Sequence, residues 1–261
     1  MRVLDIDLDL FLEDTCPLAP VGERPCLEGH RPWSEADVRR FLEECCGLDR
    51  SRPIPGRVFD THDKALYFWQ ERIADGTLTV PFAVTHADAH SDLGIGYPGT
   101  APVLSGVLPV RFPERTDVSR YLARKQLDEA NYLLYALAFR YVSTLDNVRN
   151  LRSKKDIPEK LWVRDDPSVS FADTSLYERE AFGGAPMHQR GSALRLTSFA
   201  AKLTEGINGP EPVIPYRVYP DPFGYRAEGP FDFMTVAVSP RYAPAEADAL
   251  LPVLTSYMRQ I

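Results

Sequence analysis

Two stretches decide the reading of this chain: Arg2-Val3-Leu4-Asp5-Ile6-Asp7-Leu8-Asp9-Leu10 and Phe82-Ala83-Val84-Thr85-His86-Ala87-Asp88-Ala89-His90-Ser91-Asp92. In the first, apolar and acidic residues alternate with period two, which predicts a strand over residues 2–10. Asp5, Asp7 and Asp9 then share one face, and Leu4, Ile6, Leu8 and Leu10 share the other. Like charges ~5–7 Å apart repel by roughly 2–3 kcal/mol at an effective dielectric of ~20, so three aspartates on a central strand need neutralising. From that motif alone, an edge strand with solvated carboxylates and a metal-binding strand are equally open readings. In the second stretch a short apolar strand runs into His86, Asp88, His90 and Asp92, again at every second position. Packing does not explain two histidines and two aspartates in seven residues, whereas imidazole and carboxylate donors together suit a first-row divalent metal.

Working outward, residues 13–32 read as a Pro- and Gly-rich loop. Ser34 with Asp37 predicts a helix start, and a strand is expected at 57–59. A helix is expected over 63–74, stopped by Gly76. Residues 119–145 read as two helices, 160–163 as a strand, 165–191 as a long irregular segment and 194–203 as a helix. Strands are expected at 213–219 and 231–238, with a final helix over 244–259 that starts on Pro244. Strands alternating with helices predict a single α/β domain over residues 1–261, a three-layer αβα sandwich with a mostly parallel central sheet. Ligand sites in such sheets lie at the carboxyl ends of the strands, where both motifs fall.

Composition narrows the classes. The 261 residues carry 30 Lys+Arg and 37 Asp+Glu, a net charge of −7, which argues against a nucleic-acid binder. No apolar run approaches the ~20 residues that span a bilayer, and the first residues lack a signal-peptide core, so a cytoplasmic protein without a membrane partner is expected. Cys16, Cys26, Cys45 and Cys46 match no tight zinc knuckle and read as reduced thiols.

Asp88-Ala89-His90-Ser91-Asp92 resembles the Asp-Ala-His-x-Asp motif of the arginase/agmatinase (ureohydrolase) superfamily. Asp7 and Asp9 resemble the two aspartates of that superfamily's Ser-x-Asp-x-Asp strand, and His62 resembles its remaining metal-binding histidine, although Phe59-Asp60-Thr61-His62-Asp63 lacks the usual glycines. The run from Asp5 to Phe11, the run from His86 to Leu93 and the closing Phe233-Met234-Thr235-Val236-Ala237-Val238-Ser239-Pro240 are together more similar to a smaller arginase-like family. That family includes peptide arginases, which convert arginine in ribosomally made peptides to ornithine. The motif order looks permuted, because the Asp-x-Asp strand comes first here.

The resemblance implies an arginase-like sandwich holding two Mn²⁺ ions on Asp7, Asp9, His62, Asp88, His90 and Asp92. Asp7 and Asp88 would bridge the ions, His62 and Asp92 would complete one, and Asp9 and His90 the other. Four aspartates balance the charge of two divalent ions. Such a pair supplies a hydroxide nucleophile at neutral pH, which a resonance-stabilised guanidinium demands. Asp92 would also carry a proton. His86 is a candidate for the proton shuttle, since no histidine lies between Asp92 and His188. The last strand offers no acid to grip a guanidinium, leaving Asp60 and Asp5 as candidates, each equally readable as solvated or structural.

The expected partner is an arginine-containing precursor peptide, held in a groove to which residues 165–191 and 209–229 contribute. Three other readings stand beside this one. They are hydrolysis of a free guanidino compound such as arginine or agmatine, a single-metal deacetylase-like amide hydrolase, and a metal-stabilised binding protein without turnover.

Overall fold

The computed structural model describes residues 1–94, 98–112, 114–158, 161 and 192–261. The expected strand at 160–163 and the irregular segment at 165–191 lie outside the described residues, save Leu161, which sits in a 3₁₀ turn.

Among the described residues eight strands form one sheet: β1 (Arg2–Asp7), β2 (Ile54–Phe59), β3 (Phe82–Asp88), β4 (Val142–Arg149), β5 (Ser192–Leu194), β6 (Ile214–Tyr219), β7 (Phe233–Ala237) and β8 (Met258–Gln260). Their spatial order is β5-β6-β4-β3-β1-β7-β2-β8. Every pairing is parallel except that of β5 with β6 at the edge. Among the described residues the α-helices are α1 (Glu35–Arg40), which continues as a π-helical turn over Phe41–Cys45, α2 (Lys64–Ala74), α3 (Ser119–Leu122), α4 (Tyr132–Ala138), α5 (Phe199–Asn208) and α6 (Leu251–Thr255).

Two apolar cores sandwich the sheet. Val3, Phe82, Val84 and Leu145 pack against Leu66, Trp69 and the wholly buried α4. On the other face, Leu4, Ile6, Met234 and Val236 pack against Val38, Phe41, Leu42 and Leu254. The crossovers sort by face. Connections carrying α2 and α4 run from β2 to β3 and from β3 to β4 on the first face, all moving one way along the sheet. Those carrying α1 and α6 run from β1 to β2 and from β7 to β8 on the second face, moving the other way. Only this sorting makes each parallel crossover right-handed.

β1 is therefore central, not an edge, and lies between β3 and β7. Its first face is apolar at the amino end (Val3) and acidic at the carboxyl end (Asp5, Asp7). β3 divides in the same way, with Phe82 and Val84 before His86 and Asp88. The apolar halves anchor both strands in the core and present the polar halves at the carboxyl edge.

Several elements depart from expectation. β1 stops at Asp7, and Leu8–Phe11 forms a 3₁₀ turn with Asp7 as its cap, so Asp9 does not continue the strand face. Residues 142–145, expected as helix, belong to β4. The break after α4 falls at Arg140, whose φ of 58° is a left-handed conformation that favours glycine, so the sequence carried no stop signal. Residues 194–198 are not helical: Leu194 ends β5, and Ser198 caps α5 by accepting from the Ala201 amide at 3.0 Å. The expected helix over 244–259 is a 3₁₀ turn at Ala245–Leu250, then short α6 with Pro252 in its first turn, then β8, which pairs with β2. A proline there starts a new helix instead of continuing one. The helix start at Ser34 and the stop at Gly76, with φ of 78°, are as expected.

Candidate metal centre

The carboxyl edges of β1 and β3, with the turn before α2, bring together His62, His86, Asp88 and Asp92 in one donor group and Asp9, Asp88 and His90 in another. Either group could hold a metal ion. Asp88 belongs to both.

In the first group His62 Nδ1 lies 3.0 Å from Asp88 Oδ2 and 3.2 Å from both Asp7 Oδ2 and Asp92 Oδ2. Both ring nitrogens of His62 and Nε2 of His86 are buried without a hydrogen bond. Buried polar atoms normally find partners. Here three ring nitrogens converge on facing carboxylate oxygens without hydrogen-bonding them, an arrangement that suits a cation. In the second group His90 Nδ1 lies 2.9 Å from Asp9 Oδ2 and 3.6 Å from Asp88 Oδ1. The two oxygens of Asp88 thus face different groups.

The six residues expected as ligands therefore meet in one place. Asp7 joins through Oδ2, while its Oδ1 accepts from the Asp9 amide at 3.0 Å. That bond tightens the 3₁₀ turn and swings Asp9 toward His90, where Asp9 Oδ1 also accepts from the Ala89 amide at 3.1 Å. Asp92 reaches the group because its backbone turns back with φ of 52°.

Electrostatics follows from this crowding. The ion-pair partners of Asp5, Asp7, Asp9, Asp88 and Asp92 among the described residues are histidines only. Burial and the neighbouring Asp88 push the Asp92 carboxyl up to about 7. Burial with Asp7 and Asp88 raises Asp9 well above the carboxylate range. Asp88 moves the opposite way: burial opposes its ionisation, but His62 and His90 hold it well below that range. His62 and His90 are raised in turn, burial notwithstanding, by Tyr132 and Asp5 for the first and by Asp9 and Asp88 for the second. A buried, acid-rich set without lysine or arginine partners is costly on its own and is relieved by divalent cations. Nitrogen and oxygen donors together suit first-row divalent metals. Cys16 is near enough to feel Asp9 and His90, but burial and Asp9 push it up to about 12, so it remains a thiol.

Three expectations need correction. Asp60 is on the surface, with its side chain 66% exposed and paired with Lys64, so it faces no buried site. Asp5 is fully buried beneath the cluster and cannot touch a substrate. It accepts from Thr235 Oγ1 on β7 and from Tyr132 on α4 and lies 3.3 Å from His86 Nδ1, which makes it the support on which the histidines rest. Although burial opposes it, His62 and His86 hold Asp5 well below the carboxylate range. His86 also has no exposed surface, and its Nε2 lies 3.3 Å from Asp88 Oδ2. It is a donor within the cluster, not a shuttle to solvent.

The sequence reading missed the residues that hold the ligand loops. Ser239, which ends the last long strand's connection, donates to Asp7 Oδ2. The segment after β4 staples both loops. Asn150 Nδ2 donates to the carbonyls of Leu10 and Leu12 at 2.8 and 2.7 Å. Ser153 Oγ donates to the Ala89 carbonyl at 2.8 Å, and Asp156 Oδ2 accepts from the Ser91 amide at 2.7 Å. Asn150 and Asp156 follow β4, whose first residues were expected as helix, so nothing in the local sequence directed them to this edge. The cluster opens to solvent at His90, whose side chain is 36% exposed and whose ring lies 4.9 Å from that of Tyr242.

No family model matches this chain, and no curated protein sequence matches it. No helix among the described residues is long and apolar enough to cross a membrane.

Proposed function

We propose that this chain is a binuclear metal hydrolase that converts arginine side chains of a peptide to ornithine and releases urea. The observation that carries the reading is Asp88, a carboxylate whose two oxygens face two separate buried donor groups. A single-metal amide hydrolase has no use for the second group. His62, Asp92, Asp7 and Asp88, joined by His86, would hold one ion, and Asp9, His90 and Asp88 the other. Manganese is the favoured metal, and the arginase-like fold with permuted motif order is part of the same reading.

Two such ions supply an activated water nucleophile at neutral pH. The chain supplies the rest. Asp92, whose Oδ2 lies 3.2 Å from His62 Nδ1 within the cluster, is the group placed to hold a proton and return it to the departing amine. Asp5, Tyr132 and Thr235 lock the histidine rings from below. Buried Trp69 and Tyr132 wall the floor against water. His90 and Tyr242 form the rim, where a peptide backbone must stay outside while an arginine side chain reaches inward.

Manganese-loaded protein offered arginine-containing peptides, free arginine and agmatine side by side tests the reading through urea release. Urea from peptides, with ornithine left in the chain, is the expected result. Urea from free compounds alone would move the substrate to a small guanidino compound. Amide hydrolysis without urea would overturn the amidinohydrolase reading.

A further inference from the structure

Glu129 lies in the turn that precedes α4, three residues before Tyr132, and is absent from every donor group described above. Its Oε2 is buried and has no hydrogen bond. The turn is fixed from both sides. Asp128 and Asn131 close it through their own side chains, with the Asp128 amide donating to Asn131 Oδ1 at 3.0 Å and the Ala130 amide to Asp128 Oδ1 at 3.1 Å. It is then tied to the chain leaving Asp92. The Gly94 amide donates to the Ala130 carbonyl at 2.9 Å, and Asn131 Nδ2 donates to the Gly99 carbonyl at 3.3 Å.

Glu129 therefore sits in a turn joined to the chain that leaves the metal loop. After burial, the groups acting on it most strongly are all acids: Asp7, Asp92, Asp63 and Asp128. Tyr242 shares these surroundings. Glu129 and Asp92 both act on its hydroxyl, and its ring lies against His90 at the rim. An unbonded carboxylate oxygen among other acids is expensive unless something brings N–H donors and positive charge to it. Metal ions in the cluster would lessen the repulsion but would donate no hydrogen bond. A guanidinium does both, since it is planar, always charged and able to bind a carboxylate through two parallel N–H groups. Its flat face also suits an aromatic ring.

We propose that Glu129 is the carboxylate that receives the guanidinium of the substrate, with Tyr242 on the opposite side of the same entrance. This rests on the proposed hydrolase reading for the identity of the cation, but it is testable without turnover. The probes are N-acetyl-arginine N-methylamide and its citrulline counterpart, which has nearly the same shape without the charge. Their binding to the manganese-loaded protein is measured by calorimetry for wild type, Glu129→Gln and Glu129→Asp, with bound metal counted in each.

Wild type should prefer the arginine probe. Glu129→Gln should weaken that probe by about 30-fold, leave the citrulline probe unchanged and keep its metal, while Glu129→Asp recovers part of the preference. An undiminished preference in Glu129→Gln would overturn the assignment. So would loss of metal from that variant, which would make Glu129 part of the cluster, or the absence of any preference in wild type. If wild type shows the preference but releases no urea from any substrate, the hydrolase reading fails while the role of Glu129 stands.

Discussion

The guanidinium of Arg149, buried at the carboxyl end of β4, holds the carboxylate of Asp156 at 3.0 Å. Asp156 in turn accepts from the Ser91 amide at 2.7 Å, and its carbonyl accepts from Ser91 Oγ at 3.0 Å. Ser91 stands between His90 and Asp92. A strand outside the donor set thus fixes the backbone that aims two of its members. Asp156→Ala should lower manganese affinity by about 10- to 100-fold with every donor side chain still present. Asn150→Ala, which frees the turn carrying Asp9, should act in the same direction. Titration of the metal-free variants with manganese checks both, and wild-type affinity in both would contradict the stapling role.

Asp5 and Asp60 make a matched pair of opposite expectation. Asp5→Asn removes a buried charge that His62 and His86 share, and should weaken metal binding and activity together. Asp60→Asn loses only an exposed pair with Lys64, worth about 0–1 kcal/mol, and should leave metal content and urea release unchanged. Steady-state assays with metal analysis on the two variants decide it. A large defect in Asp60→Asn would return that residue to the site.

The metal-free protein should lose stability as pH rises from about 5 to 8. Asp92 is pushed up to about 7 and Glu129 to about 8, in both cases by burial first and then by neighbouring aspartates. In the folded state these groups keep protons that the unfolded chain has already released, so raising pH favours unfolding. The raised values of His62 and His90 act in the same sense. Asp5 and Asp88, held low, contribute stability that is lost only as pH falls below the ordinary carboxylate value. Metal displaces the retained protons, so manganese affinity should rise over the same interval. Melting in the presence of chelator at several pH values, repeated with manganese, reads both effects. A melting temperature that rises with pH in chelator would contradict the protonated cluster.

Away from the site, Arg115 is buried and donates to the carbonyls of Val110, Ala138 and Leu108 while pairing with Glu211 at 2.7 Å. It joins the loops around α4 to the segment before β6. Arg115→Ala leaves Glu211 without that partner and removes one donor from each of three carbonyls, of which Leu108 and Val110 keep Asn208 Nδ2, and should cost about 3–5 kcal/mol in denaturant unfolding. A loss below about 1 kcal/mol would show that the network contributes little.

The carboxyl-edge site was legible because its signal is chemical and local. Alternating Asp5, Asp7 and Asp9 and the interleaved run from His86 to Asp92 declare their donors within a few residues. The alternation of strands and helices was equally plain in β1, α2 and β3, where apolar period and caps agree. What escaped was long-range. Arg140 ends a helix in a conformation usually left to glycine, so β4 was hidden, and with it Asn150 and Asp156. β8 is a strand because β2 offers it an edge, a fact no local window contains. Glu129 lies in a polar turn like any other, and only burial against acids distant in sequence distinguishes it. Asp60 misled for the converse reason, since it precedes His62 closely but turns outward to Lys64.

The most direct test is to count manganese bound per chain in wild type, His90→Ala and Asp88→Asn. The shared carboxylate predicts two ions in wild type, one in His90→Ala and fewer than one in Asp88→Asn. A single ion in wild type, or two ions still held by Asp88→Asn, would contradict it.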